Sequence, residues 1–226
     1  MSLYALIPAA GSGTRLPAGA PKQYLPLAGK PMLWHAVRAV CVPRVESVFV
    51  VLAPEDNTFA THDWSAFGER LQPLYCGGET RRDSVYNGLV AALEEIDADD
   101  WLLVHDAARP CLPAKDLENL MREIEGDEVG GILALPVVDT VKRVFQQEIQ
   151  ATEDRAQLWL AQTPQMFRAG LLVQALARAK GSPTDEAAAV EQLGLKPRVV
   201  AGSRENLKVT WPEDVAIAEG ILRRRA

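Results

Sequence analysis

Residues 4–15 read "YALIPAAGSGTR": an apolar run breaks into a glycine loop that ends on an arginine. A glycine loop after a strand holds phosphates in several architectures, and the residues that follow separate them. A Walker-type loop needs GxxxxGK and then Ser or Thr. The one Gly-Lys pair, Gly29-Lys30, is followed by Pro31 and has Tyr24 in the first glycine's place. A dinucleotide fingerprint needs GxGxxG with a helix starting inside it. Gly11 and Gly13 supply two glycines, but Leu16 stands where the third belongs, and Pro17 and Pro21 exclude a regular helix directly after the loop. What remains is a long open loop, "AAGSGTRLPAGAPKQ" over residues 9–23, whose glycines let backbone N–H groups turn inward as an anion-binding nest. Arg15 adds a planar fork and Lys22 a mobile point charge, which together suit a triphosphate. A plain glycine turn with two solvated cations accounts less well for the strand before and the spaced cations after.

Outward from this loop, short apolar runs at 3–9, 47–53, 72–76, 101–105, 130–136 and 197–201 read as strands. Most are nearly continuous in hydrophobicity, as strands covered on both faces are. Helical patterns lie between them at 30–40, 80–96, 115–125, 168–180, 185–193 and 212–224. Pro31 fits a first helical position. Thr80 with Asp83 three residues on resembles a capping box. The alternation predicts an α/β fold with a doubly wound, mostly parallel sheet. One segment, 139–160, which includes "DTVKRVFQQEIQATEDRAQL", is polar and long, and is expected to be a lid, a loop or an oligomerisation arm. The 226 residues then form one domain, 1–226, from which this arm protrudes.

The net charge of −6 argues against a general nucleic-acid surface but not against a small polyanion held by local cations. No apolar run approaches the roughly 20 residues that span a bilayer, and no basic leader precedes the first strand. Cys41, Cys76 and Cys111 are scattered without metal-ligand spacing, which suits reduced thiols in the cytoplasm.

The segment "PAAGSGTR…PK" is similar to the signature loop of nucleotidyltransferases that join a nucleoside triphosphate to a sugar or polyol phosphate. "GGETRRDSV" (77–85), "HDAARP" (105–110), "AQTPQMF" (161–167), "TDEAA" (184–188) and "ENLKVTWPED" (205–214) narrow the resemblance. In order over nearly the whole chain, they resemble the 2-C-methyl-D-erythritol 4-phosphate cytidylyltransferase family of the non-mevalonate isoprenoid pathway. The resemblance implies a Rossmann-like nucleotidyltransferase fold and cytidylyl transfer from CTP to the polyol phosphate, with pyrophosphate released. The nearest rival is ribitol-5-phosphate cytidylyltransferase, which differs in the acceptor; a catalytically inactive nucleotide-binding regulator is a rival of another class.

The resemblance implies that Ala9, Ala10, Gly78, Glu79 and Ser84 form the cytosine pocket, with Gly11 and Gly13 in the phosphate loop. Glu79 departs from the aspartate expected there. Ser84 fits a helix-start hydrogen bond as well as a base contact. Asp106, at the carboxyl end of a strand, is a credible partner of Mg²⁺ or of a substrate hydroxyl and equally a turn cap. The resemblance favours a substrate-side role for it, with Arg109 positioning the polyol phosphate. His105 next to it reads as a structural hydrogen-bonding group rather than a general base. Arg81 either reaches ligand or flanks the pocket. Thr163 and Thr184 offer hydroxyls to the acceptor, or cap local structure. Lys208, flanked by Leu207 and Val209 on an expected short strand, is better explained by a ligand phosphate than as surface. Thr140 and Arg155 lie on the arm, which in the resembling family reaches a neighbouring subunit and completes its site, implying a homodimer. The implied mechanism uses Arg15, Lys22 and Lys208 as a charge clamp around the α-phosphate, and Mg²⁺ or another divalent cation on the CTP phosphates.

Overall fold

The computed structural model describes residues 1–11 and 21–225. Strand β1 (Leu3–Pro8) leads into the glycine loop, and a 3-10 turn at Lys22–Tyr24 resumes the described chain. A small hairpin, β2 (Pro26–Leu27) and β3 (Lys30–Pro31), precedes α1 (Met32–Val40). There follow β4 (Val48–Val51), β5 (Leu71–Leu74), α2 (Arg81–Ala92), β6 (Trp101–Val104), α3 (Ala114–Ile124) and β7 (Gly130–Pro136). The polar segment forms β8 (Val141–Phe145) and β9 (Glu148–Glu153). Then come β10 (Trp159–Arg168), α4 (Ala169–Arg178), α5 (Glu186–Glu191), β11 (Arg198–Ala201) and α6 (Pro212–Arg225).

Seven strands form the central sheet in the order β11-β7-β10-β6-β1-β4-β5. All its pairings are parallel except those of β10, which runs antiparallel between β6 and β7. The expected doubly wound, mostly parallel α/β architecture is therefore the observed one. Alternate side chains of the central strands feed two cores. Ala5, Ile7, Val48 and Val50 pack with Leu33, Val37 and Leu120 of α1 and α3. Leu6, Phe49, Val51 and Val104 pack with Val85, Leu89, Leu172 and Leu176 of α2 and α4. Burial on both faces is why these strands read as unbroken apolar runs. A third, smaller cluster, Leu27, Met32, Cys111, Val209, Ala218 and Ile221, ties the hairpin and the segment after Asn206 to α6.

Four details differ from the sequence reading. β10 is absent from it because Pro164 argues against a central strand. Between Ala161 and Gln165 the register with β7 shifts, so residues 162–164 bulge out of the ladder and the proline takes no place in it. Pro31 is not the first helical residue: it is extended at ψ 146, caps α1 and pairs with Pro26. The turn it closes has positive φ at Ala28 (46°) and Gly29 (83°), as a two-residue hairpin turn requires. Lys208 lies on irregular chain, not on a strand. The polar segment is a true hairpin, turning at Gln146 and Gln147, both at positive φ.

Candidate active site

From β1 the chain builds outward through β4 and β5, then returns to the other side of β1 as β6. Open α/β sheets bind ligands in the crevice that such a reversal leaves at the strands' carboxyl ends. A cleft lies there, walled by Ala9, Gly11, Lys22, Arg81, Asp106 and Lys208. Three segments converge on it. His105 N–H continues the ladder to Leu6 O (2.9 Å) and delivers Asp106 beyond the strand end. Val209 N–H donates to Ala108 O (2.8 Å), which lays the Lys208 segment along the Asp106 loop. Lys22 Nζ donates to the Val209 carbonyl from the other side. Gln23 Nε2 donates to Ala9 O (2.6 Å) and anchors the end of β1 to the same turn.

Asp106 is the electrostatic centre. Lys208 Nζ lies 2.8 Å from Oδ2, Arg81 Nε 3.0 Å from Oδ1, and Arg109 Nε 3.9 Å from Oδ2. Burial opposes ionisation of this carboxyl, but the charges of Arg81 and Lys208 overcome it and hold the pKa well below the usual carboxylate range. Arg81 in turn grips Glu186 with Nη1 (2.7 Å) and Nη2 (3.1 Å), and these two carboxylates raise its pKa against the effect of burial.

Behind Asp106, the β10 bulge presents Thr163. Its hydroxyl accepts from Asp106 N–H (2.9 Å) and lies 3.1 Å from His105 Nδ1, while His105 Nε2 meets Arg109 O at 3.0 Å. His105 is fully buried, and burial pulls its pKa down to about 4, so it is neutral at pH 7. It is a structural member of this network. An unfolded histidine takes up its proton below about pH 6.5; the folded one waits until about 4. The contribution of His105 to stability is thus complete above pH 6.5 and is lost as pH falls to 4. Urea midpoints should decline across that window, and a His105→Asn variant that still folds should show a shallower decline.

Before α2, Gly77 N–H donates to Leu52 O (2.8 Å), and a Cβ on Gly77 would stand 2.3 Å from Ala10 Cβ and 2.8 Å from Leu52 O. One on Gly78 would meet Asp83 Cβ at 2.5 Å. These glycines let the turn close against Ala10 and the first turn of α2. Gly77→Ala is expected to destabilise by about 1–3 kcal/mol, the ordinary cost of overpacking; an unchanged melting temperature would remove this role. The Ser84 hydroxyl accepts from Gly78 N–H (3.1 Å) and donates to Thr80 O (3.0 Å), at the start of α2. Glu79 is exposed beside this turn.

Of the other expected site residues, Gly13 and Arg15 fall outside the described residues. Arg109 is buried beside Asp106, donating to Asn206 O (2.6 Å) and Ala161 O (3.3 Å). Thr184 is exposed before α5, and the cap there is Asp185, which accepts from Ala188 N–H (2.9 Å). Thr140 and Arg155 are exposed at the base of the β8–β9 arm. Glu186, Gln23 and Asn206 had no role in the sequence reading. Glu186 and Asn206 sit inside the quoted "TDEAA" and "ENLKVTWPED" motifs, and their burial is the signal that spacing could not supply. Among the described residues, no group of three or more His, Cys, Asp or Glu is placed to hold a metal ion.

A family model described as 2-C-methyl-D-erythritol 4-phosphate cytidylyltransferase matches residues 3–224. The protein of that name from Nitrosospira multiformis is 56% identical over 227 residues, covering 98% of both chains. A crystal structure of a 4-diphosphocytidyl-2C-methyl-D-erythritol synthase superposes with a TM-score of 0.86 at 40% identity, covering 98% of this chain and 99% of its own. The 2-C-methyl-D-erythritol 4-phosphate cytidylyltransferase of Francisella tularensis gives 0.79 at 34% identity, covering 98% and 100%.

Proposed function

This chain belongs to the 2-C-methyl-D-erythritol 4-phosphate cytidylyltransferase family, and from that premise we infer its reaction. It transfers the cytidylyl group of CTP to 2-C-methyl-D-erythritol 4-phosphate, giving 4-diphosphocytidyl-2-C-methyl-D-erythritol and pyrophosphate. A phosphate oxygen of the acceptor attacks the α-phosphorus in line, the new P–O bond forms as the bond to the β-phosphate oxygen breaks, and pyrophosphate leaves. The protein contributes positioning and charge neutralisation.

The observation that carries this reading is the convergence of Lys22 and Lys208, 186 positions apart in sequence, on one cleft at the strand-order reversal. Arg15 joins them in the charge clamp by virtue of the loop motif. Ala9, Ala10, Gly11, Gly78 and the Glu79 main chain take the nucleotide. Asp106 faces the acceptor, with Arg109, Thr163 and Thr184 supporting that side. Mg²⁺ fits as a cation carried by the triphosphate: magnesium sites commonly use one or two carboxylates plus substrate phosphates, and Asp106 is the carboxylate on the cleft wall. When bound, it neutralises phosphate charge. A pyrophosphate-release assay with CTP and each of the two acceptors, methylerythritol phosphate and ribitol 5-phosphate, tests the reading. Turnover with the former alone is expected; turnover only with the latter, or CTP binding without turnover, overturns it.

The arm supports a homodimer. A two-stranded hairpin standing off the core is marginal by itself in water. This one exposes Val144, Phe145 (65%) and Ile149 (64%), and its root exposes Trp159 and Leu160. A second copy covers such a surface, and Thr140 and Arg155 at the arm's base then reach the neighbour's acceptor site. Phe145→Glu with Ile149→Glu should convert the dimer to monomer in sedimentation and cut turnover with it; an unchanged sedimentation coefficient removes the arm from the interface. The three free cysteines support work in a reducing compartment such as the cytoplasm.

A further inference from the structure

Glu186 is 1% exposed, on the first turn of α5. A buried carboxylate is costly unless it is fully paired, and removing one partner of such a pair leaves an uncompensated charge. β10 holds Glu186 in place: the Gln165 amide accepts from Ala187 N–H (2.8 Å) and donates to Asp185 Oδ2 (2.9 Å). Glu186 takes both ends of the Arg81 fork, at 2.7 and 3.1 Å, and leaves Arg81 Nε for Asp106 Oδ1. Lys208 occupies the other oxygen, Oδ2. The four residues form one chain of contacts, Glu186–Arg81–Asp106–Lys208, across α5, α2, the loop after β6 and the segment before α6. Lys22, Arg81 and Lys208 all wall the cleft; of these, Arg81 and Lys208 share Asp106 as counter-charge, so either one can turn to an arriving triphosphate only by leaving that carboxylate to the other.

We propose that Glu186 is a positioning residue that decides this competition: by locking the Arg81 fork, it keeps Arg81 on Asp106 and releases Lys208 to the nucleotide. The proposal rests on the cytidylyltransferase reading above. A guanidinium with its fork free is the better bidentate phosphate ligand. Unlocked, Arg81 would turn to the triphosphate and Asp106 would retain Lys208, the cation the transition state uses. With the lock closed, Lys208 can leave Oδ2 because Oδ1 keeps its partner.

Glu186→Gln conserves shape and removes the charge that locks the fork. Its expected signature is a split: kcat falls about a hundredfold, as for a misplaced catalytic group, while the KM for CTP is unchanged or lower, since Arg81 now binds phosphate. In an Arg81→Ala background the same substitution should cause no further loss of kcat, because Glu186 acts through Arg81. Wild-type kcat in Glu186→Gln, a rise in KM for CTP that matches the fall in kcat, or a further fall in kcat in the Arg81→Ala background overturns the proposal. Arg81→Lys tests it from the other end if Glu186→Gln does not fold: a single ammonium cannot bridge both carboxylates, so kcat must fall with KM held, and an unchanged kcat overturns it. Absence of pyrophosphate release by the wild-type enzyme, run in parallel, rejects the cytidylyltransferase reading itself.

Discussion

Lys22→Ala is expected to lower turnover with CTP by about 10²–10³-fold, as for loss of one preorganised donor to developing charge, or roughly 3–4 kcal/mol of transition-state stabilisation. The KM for CTP should change far less. Ground-state CTP already carries its phosphate charges, whereas charge on the α-phosphate and the departing pyrophosphate grows only as the bond breaks. A cation aimed at that growth appears in kcat and not in binding. Lys22 also donates to the Val209 carbonyl, so the alanine variant needs a melting curve beside its kinetics. Steady-state assays that find wild-type turnover remove Lys22 from the machinery; an equal rise in KM and no fall in kcat make it a binding residue only.

Asp106→Asn should be the most destabilising isosteric change in the cleft. Asp106 is the shared counter-charge of Arg81, Lys208 and Arg109, two of them within 3.0 Å. Breaking a buried ion pair from one side costs about 3–5 kcal/mol, and each kcal/mol moves the melting temperature of a chain this size by roughly 2–4 °C. The variant should also show a pH signature. Because the folded carboxyl titrates well below its unfolded value, its contribution is fully present above about pH 4 and is lost as pH falls below that. Wild type and variant should therefore converge in stability as the solution is acidified below pH 4, after the separate loss from His105 between 6.5 and 4. A gap that stays constant with pH would mean that the asparagine's effect is steric and not electrostatic.

Much of this architecture is legible in the sequence because it follows from periodicity. The apolar runs around Leu6, Val50 and Leu103 mark the sheet, and Thr80 announces α2, its hydroxyl accepting from Asp83 N–H at 3.1 Å. What sequence does not carry is direction: a residue's chemistry is visible in it, whereas the path of its side chain is not. Arg109 reads as a ligand contact, and the carbonyls of Asn206 and Ala161 that its fork also meets are not marked by any local pattern. Ser84 reads equally as base contact or cap, and its bond from Gly78 N–H depends on the path of the chain before α2, which no local pattern marks. Arg81 and Glu186 are 105 positions apart, so no local pattern predicts their pairing. Pro164 hid β10 because a proline in a strand normally signals an edge, and the bulge that accommodates it also brings Thr163 to Asp106.

Since Leu27 and Val209 pack on Ala218 and Ile221 of α6, synthesis order governs when the cleft comes into being. A nascent chain that has emerged through β11 holds every strand of the sheet and still lacks Lys208 and the helix that seats it. The 187 positions between Lys22 and Val209 correspond to roughly 10–40 s of translation at 5–20 residues per second. On the ribosome, the sheet can therefore mature first, and competence to grip a triphosphate arrives as a single late event when α6 docks.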